Sequence, residues 1–122
     1  MENIARRHYA VIEPYRRRLT LTFEDKVIAE TENAMILKEV GKSVYDPVFY
    51  IPKEDIKVDL EMEPSTTGYC PIKGHANRWH LSDKKTGPYF GWSYEEPLPK
   101  AKKIKGRIAF HSGLVSFTST PL

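Results

Sequence analysis

The chain has one cysteine in 122 residues. That excludes an intrachain disulfide and any zinc site built from several thiolates, and it makes a reducing compartment, the cytoplasm, the expected location. Long apolar runs are missing as well: nowhere is there the uninterrupted stretch of roughly 20 apolar residues that a membrane-spanning helix needs. The stretch Met1 to Arg18 is broken up by Glu2, Arg6, Arg7, Glu13 and Arg16-Arg17-Arg18. It therefore lacks the apolar core of a signal peptide, and neither secretion nor membrane insertion is expected. A surplus of one charge sign is also lacking. The 19 basic and 16 acidic residues give a net charge of +3 and are interspersed, which allows weak attraction to polyanions without implying a nucleic-acid partner. There are no internal repeats, no low-complexity segment and no long amphipathic helical period.

What the chain does have is the apolar and charged content of an ordinary globular protein, 40% and 29%. The length suits one compact domain, read as a single β domain over 19–122 preceded by an N-terminal arm over 1–18. Period-two alternation recurs. Leu19 to Phe23 and Val27 to Glu30 predict a hairpin around Glu24-Asp25-Lys26, and Ala34 to Val40 fits a short strand. Val48 to Ile51 is a strand bounded by Pro47 and Pro52, and Pro52 to Asp55 has the composition of one helical turn. Ile56, Val58, Leu60 and Met62 alternate with charged residues in the cleanest strand pattern of the sequence. Further strands are expected at Asn77 to Leu81, at Tyr89 to Tyr94, from Ile104 to Phe110, and at Leu114 to Thr118 after a His111-Ser112-Gly113 turn, closing with a hairpin. Ser82 to Pro88 reads as a loop and Lys100 to Lys103 as a helical turn. These elements predict an all-β fold, a curled antiparallel sheet or open barrel with one or two short helical turns.

The segment Ser65 to Trp79 concentrates the cysteine, a lysine, a histidine and a tryptophan among turn formers. Four ordered blocks carry a family resemblance: Tyr50-Ile51-Pro52-Lys53-Glu54-Asp55-Ile56; Thr66-Thr67 and Cys70-Pro71-Ile72-Lys73-Gly74 with Ala76 and Trp79; Trp92-Ser93-Tyr94 with Pro97; and Ile104 with Gly106. The chain resembles the domain of unknown function 427 family, small bacterial and fungal proteins sometimes labelled nucleotidyltransferase-like. The resemblance covers roughly Leu19 to Thr118. It implies an Mss4-like β-complex fold without that fold's usual zinc, and it carries no mechanism that maps onto residues. In the family an acidic residue is common where His75 stands, a histidine where Tyr69 stands and an aromatic where Arg78 stands, so a polar site there has a different charge in this chain.

Candidate chemistry gathers in the same segment. Cys70 is the one catalytic candidate, a thiol near the cation Lys73, although the apolar neighbours Tyr69 and Ile72 predict a buried, inert sulfur. Cys70, His75 and His80, with His111 as a further ligand, match no common zinc spacing, so no metal and no cofactor is expected. Lys73-Gly74 lacks the earlier glycine and the following Ser or Thr of a phosphate loop. Lys73 instead suits a point-charge anchor for an anion. Trp79, Trp92, Tyr94, Tyr50 and Phe90 are the aromatic wall candidates, with Phe90, Trp92 and Tyr94 on one strand face by alternation. The ligand-binding set is thus Thr67, Lys73, His75, Trp79, Trp92 and Tyr94. The expected partner is a small anionic ligand in a pocket between the Thr66 to Trp79 segment and the Trp92/Tyr94 strand, and the alternative is a non-catalytic protein-interaction module. The basic run Lys100, Lys102, Lys103, Lys105 and Arg107 reads as a solvated face.

Overall fold

The computed structural model describes residues 8–83 and 89–122. Ten strands and two short 3-10 segments account for the ordered elements among them. β1 (Tyr9–Pro14), β4 (Met35–Val40) and β5 (Val48–Tyr50) form one antiparallel sheet in the order β1-β4-β5. β2 (Arg18–Phe23), β3 (Lys26–Thr31) and β10 (Ser116–Thr120) form a second in the order β10-β2-β3. The third contains β6 (Leu60–Cys70), β7 (Gly74–Leu81), β8 (Gly91–Ser93) and β9 (Ile108–Phe110), ordered as in the sequence. No helix among the described residues is long and apolar enough to cross a membrane. The all-β expectation is met, with sheets that stay open rather than closing into a barrel.

A reciprocal pair of backbone hydrogen bonds, Ile51 N–H to Ile108 O at 2.8 Å and Ile108 N–H to Ile51 O at 2.9 Å, joins the first sheet to the third at β5 and β9. This junction brings Glu39 on β4 and Tyr50 on β5 into the same neighbourhood as the β7-β8-β9 strands. Alternation along β9 then divides the interior. Ile108 and Phe110 pack with Leu19, Leu21, Ile28 and Val115, whereas Ala109 between them packs with Ile12, Leu37, Tyr50, Tyr94 and Ile104. β9, and β7 through Trp79 and Ala76, thus present side chains to two separate apolar clusters, and burial on both faces fixes their register.

Several sequence expectations change in detail. Residues 9–14, read as part of an N-terminal arm, form β1 and pair with β4 from Tyr9↔Val40 to Pro14↔Met35, because Ile12 is an apolar anchor at 9% exposure. Met1 to Arg7 lie outside the described residues, as do Lys84 to Pro88 of the expected 82–88 loop. The clean alternation at Ile56 to Asp59 makes one isolated bridge, Ala29↔Ile56, and the ladder begins only at Leu60. Ser65 to Cys70, turn-like by composition, instead continues β6. β6 is the last strand of its sheet, where Pro64 removes no ladder donor that a neighbour needs, and irregular pairing between Met62 and Tyr69 absorbs the small residues. Ile104 ends the 3-10 segment Pro99–Ile104 rather than starting a strand, and β10 pairs with β2 instead of closing a hairpin with β9. The β2-β3 turn carries Glu24 and Asp25 at φ 50° and 64°, the paired left-handed geometry that matches strand twist without the usual Asn-Gly.

Candidate functional site

β6 ends at Cys70, and the turn Pro71-Ile72-Lys73 leads into Gly74, whose φ of +99° favours glycine. The Lys73 carbonyl accepts a hydrogen bond from Leu98 N–H at 3.1 Å, which pins the turn to the segment after β8. The side chain is thereby aimed inward. Its Nζ donates to Glu39 Oε1 at 2.9 Å and lies 5.6 Å from the centroid of the Tyr94 ring. The other carboxylate oxygen, Glu39 Oε2, is 2.6 Å from His8 Nε2. With side-chain exposures of 14% for Lys73 and 12% for Glu39, this ion pair is largely screened from water. Tyr50, fully buried, lies with its ring centroid 6.5 Å from that of Tyr94 and its hydroxyl 3.4 Å from the Trp92 indole nitrogen.

The electrostatics of this centre follow from burial with few partners. Burial pushes the hydroxyls of Tyr50 and Tyr94 above the ordinary phenol range, so both are neutral donors near neutral pH. Burial alone would lower Lys73. The oxygens of Tyr50 and Tyr94 and the Glu39 carboxylate outweigh it and hold the ammonium above its usual value. For Glu39 burial works upward, and the hydrogen bonds from His8 and Lys73 overcome it, leaving the carboxyl below its usual range. Near neutral pH the pair is therefore ionised on both sides.

A second constellation lies behind the sheet. Ser93, 0% exposed, accepts from Trp79 Nε1 at 2.8 Å and donates to Glu95 Oε2 at 2.6 Å. Glu95 Oε1 takes Lys53 Nζ at 2.6 Å, and that ammonium sits 5.3 Å from the centroid of the Trp79 ring. A serine bonded to a carboxylate has the makings of a nucleophile, but complete burial keeps any substrate from its oxygen, so the network is a structural clamp. Ser93→Ala is expected to cost about 2 kcal/mol, because it strands the Trp79 indole donor. Urea denaturation with the wild type as reference reads this loss, and an unchanged midpoint would mean that the clamp adds nothing.

The predicted site residues thus separate. Lys73, Tyr94 and, through Tyr50, Trp92 meet at one centre. Cys70 is half-buried at the end of β6, more open than the buried sulfur its neighbours predict. Thr67 and His75 belong to the outer strand pair: Thr67 Oγ1 accepts from Ala76 N–H at 3.2 Å, and His75 Nδ1 lies 3.0 Å from the Thr67 carbonyl oxygen. Trp79 packs with the Ser93 clamp on the opposite side of the sheet. Phe90 likewise leaves the face of Trp92 and Tyr94, since it precedes β8 and its ring packs against Phe23 and Phe110. Of the histidines, His80 pairs with Glu63 at 2.6 Å and His111 lies among aromatic rings, away from Cys70 and His75 in their contacts. No group of three His, Cys, Asp or Glu side chains suited to a metal ion occurs among the described residues.

A profile of the family described as a domain of unknown function (DUF427) matches residues 11–119. The chain belongs to this family. No curated protein matches it. The DUF427 match includes Glu39, Tyr50, Lys73, Trp92 and Tyr94, so every member of the buried centre except His8 falls inside the family domain. Sequence reasoning missed Glu39 and His8. Glu39 had a signal, because it follows Met35 and Leu37 on the same face of β4, where a carboxylate needs a partner. His8 had none. A surface cleft of about 410 Å³, lined by Phe23, Ile28, Val58, Asp59, Leu81 and Asp83 among others, lies apart from these groups.

Proposed function

We propose that this DUF427 protein binds a small anionic ligand at the Lys73 centre, between the Thr66 to Trp79 segment and the strand that carries Trp92 and Tyr94. The observation that carries this reading is the convergence, on one largely buried ammonium, of side chains from three of the four sequence blocks: Tyr50, Lys73, and Trp92 with Tyr94. The field of an ammonium in a poorly solvated site is less screened than that of a solvated one, and the equally unscreened Glu39 carboxylate opposes an anion until its contact with Lys73 is displaced. Glu39 holds the ammonium in place in the free protein. An incoming phosphate or carboxylate shares or takes over that contact, with the neutral Tyr94 hydroxyl as a second donor and the aromatic rings as walls.

A thermal-shift screen with nucleotides, sugar phosphates and organic acids tests this. At least one class is expected to raise the midpoint of the wild type, and Lys73→Ala is expected to abolish that shift while leaving a folded baseline. If Lys73→Ala leaves every observed shift unchanged, the anchoring role is wrong. A protein-interaction role is the second reading, favoured by Tyr9, Val11, Val44 and Tyr45, which are 52%, 47%, 80% and 45% exposed on the β1-β4 side. For this reading a pull-down must recover a reproducible partner that Val44→Asp loses.

A further inference from the structure

Trp92 belongs to two groups at once. Its indole nitrogen faces the Tyr50 hydroxyl of the buried centre. Its ring also meets His111 at a centroid distance of 5.5 Å and Tyr89 at 6.5 Å, both edge to face. Tyr89 and His111 lie 4.6 Å apart, and the Arg78 guanidinium sits over the Tyr89 ring at 4.6 Å. The sheet builds this arrangement: Arg78 on β7, Trp92 on β8 and Ala109 on β9 are register partners, so they project from the same face, with the small Ala109 leaving room beside the tryptophan. Tyr89, Trp92 and His111 are half-buried, and Arg78, whose guanidinium lies over the Tyr89 ring, is exposed.

We infer that the ligand anchored at Lys73 also carries a planar aromatic ring, which stacks on the platform formed by Arg78, Tyr89, Trp92 and His111. This rests on the Lys73 reading above and adds the chemical class of the ligand. Three aromatic side chains and an arginine held half-open on a sheet face present flat π surfaces, and Arg stacks on planar rings by dispersion and cation–π attraction. A ligand with only aliphatic groups makes no use of these faces. A cationic ring is disfavoured by Arg78, so the ring is neutral and the negative charge is carried by the group at Lys73. The tether is Trp92, which touches both the buried centre and the platform. The ligand's ring and its anionic group therefore bind at adjacent places rather than at two separate sites.

The test is calorimetric titration with pairs of compounds that share an anionic group and differ in the ring: adenosine 5′-monophosphate against ribose 5-phosphate, and 1-naphthoate against cyclohexanecarboxylate. The ring-bearing member of at least one pair is expected to bind about tenfold more tightly or better, the scale of one stacked ring. Arg78→Ala, at an exposed position that the fold tolerates, and Tyr89→Leu are expected to bring the ring-bearing member down to its partner's affinity. Neither substitution should change the affinity of the ring-free member. Equal affinity within both pairs overturns the inference and leaves the Lys73 anchor standing, as does an Arg78→Ala or Tyr89→Leu effect that is the same for both members. Absence of binding by all four compounds overturns the inference and the anchor reading together.

Discussion

Replacing Glu39 with methionine is expected to destabilise the protein by about 3–5 kcal/mol, the cost of leaving a buried ammonium without its counter-charge. Lys73 is 14% exposed and Glu39 12%, so water replaces little of the lost contact, and the second carboxylate oxygen is withdrawn from His8 as well. Lys73→Met should cost a similar amount by stranding the carboxylate. The double replacement, Glu39→Met with Lys73→Met, should cost far less than the sum, because two apolar chains of similar length fill the space without a desolvated charge. Chemical denaturation of the four proteins gives the coupling energy, and additive losses would show that the ion pair is not a unit. The same pair shapes the pH profile. Because the Glu39 carboxyl lies below its ordinary range in the folded protein, its contribution is present above the unfolded value of about 4.3 and is lost as pH falls through the folded value. Lys73 is raised, so its contribution is full below about 10.4 and is lost as pH rises through the folded value. The double variant should lose both of these slopes.

Gly91→Ala is expected to cost about 3 kcal/mol or more, with loss of ordered packing around β8. An added Cβ would stand 2.4 Å from the Ala109 carbonyl oxygen and 3.3 Å from Ile108 Cγ2. The first of these neighbours is backbone in the adjacent strand and cannot rotate away, so β8 and β9 must separate. Those two strands carry Trp92, Ser93 and Ala109, so the damage reaches the clamp, the platform and the Lys73 centre together. Gly68→Ala is the control, since nothing lies within 4 Å of its added methyl. It should change stability by less than about 0.5 kcal/mol. Near-equal thermal midpoints for the two variants would contradict this account of β8.

The strands that could be read in the sequence are those in which one face is buried and the other wet. Leu19 and Leu21 on β2 follow that rule; β3 and β4 bury Ile28 beside Ala29 and Ile36 beside Leu37, yet all three strands fall within a residue or two of their expected bounds. The helical turn at Lys53–Asp55 was legible from Pro52 and the carboxylates after it. What local pattern could not convey was partnership between distant segments. β1 is held by pairing with β4, so the charges around Ile12 disguise a strand as an arm. β6 tolerates Pro64, Thr66, Thr67 and Gly68 because only one of its edges is paired. At the site, Lys73, Trp92 and Tyr94 stood out through residue type and neighbours, whereas Glu39 and His8 acquire their roles only when β4 and the β1 end are brought to the β6-β7 turn. Trp79 shows the reverse: a distinctive residue whose indole nitrogen serves the Ser93 clamp.

Lys73 and the rings around it are proposed as the ligand site. Amide and side-chain NMR shifts, followed while an anion from the thermal-shift screen is titrated into the intact protein, locate the site directly. Saturable shifts are expected to concentrate at Glu39, Tyr50, Lys73, Trp92 and Tyr94 and to disappear in the folded Glu39→Met, Lys73→Met double variant. Saturable shifts confined to the cleft of Phe23, Val58 and Asp83, with the Lys73 region unmoved, would contradict that proposal.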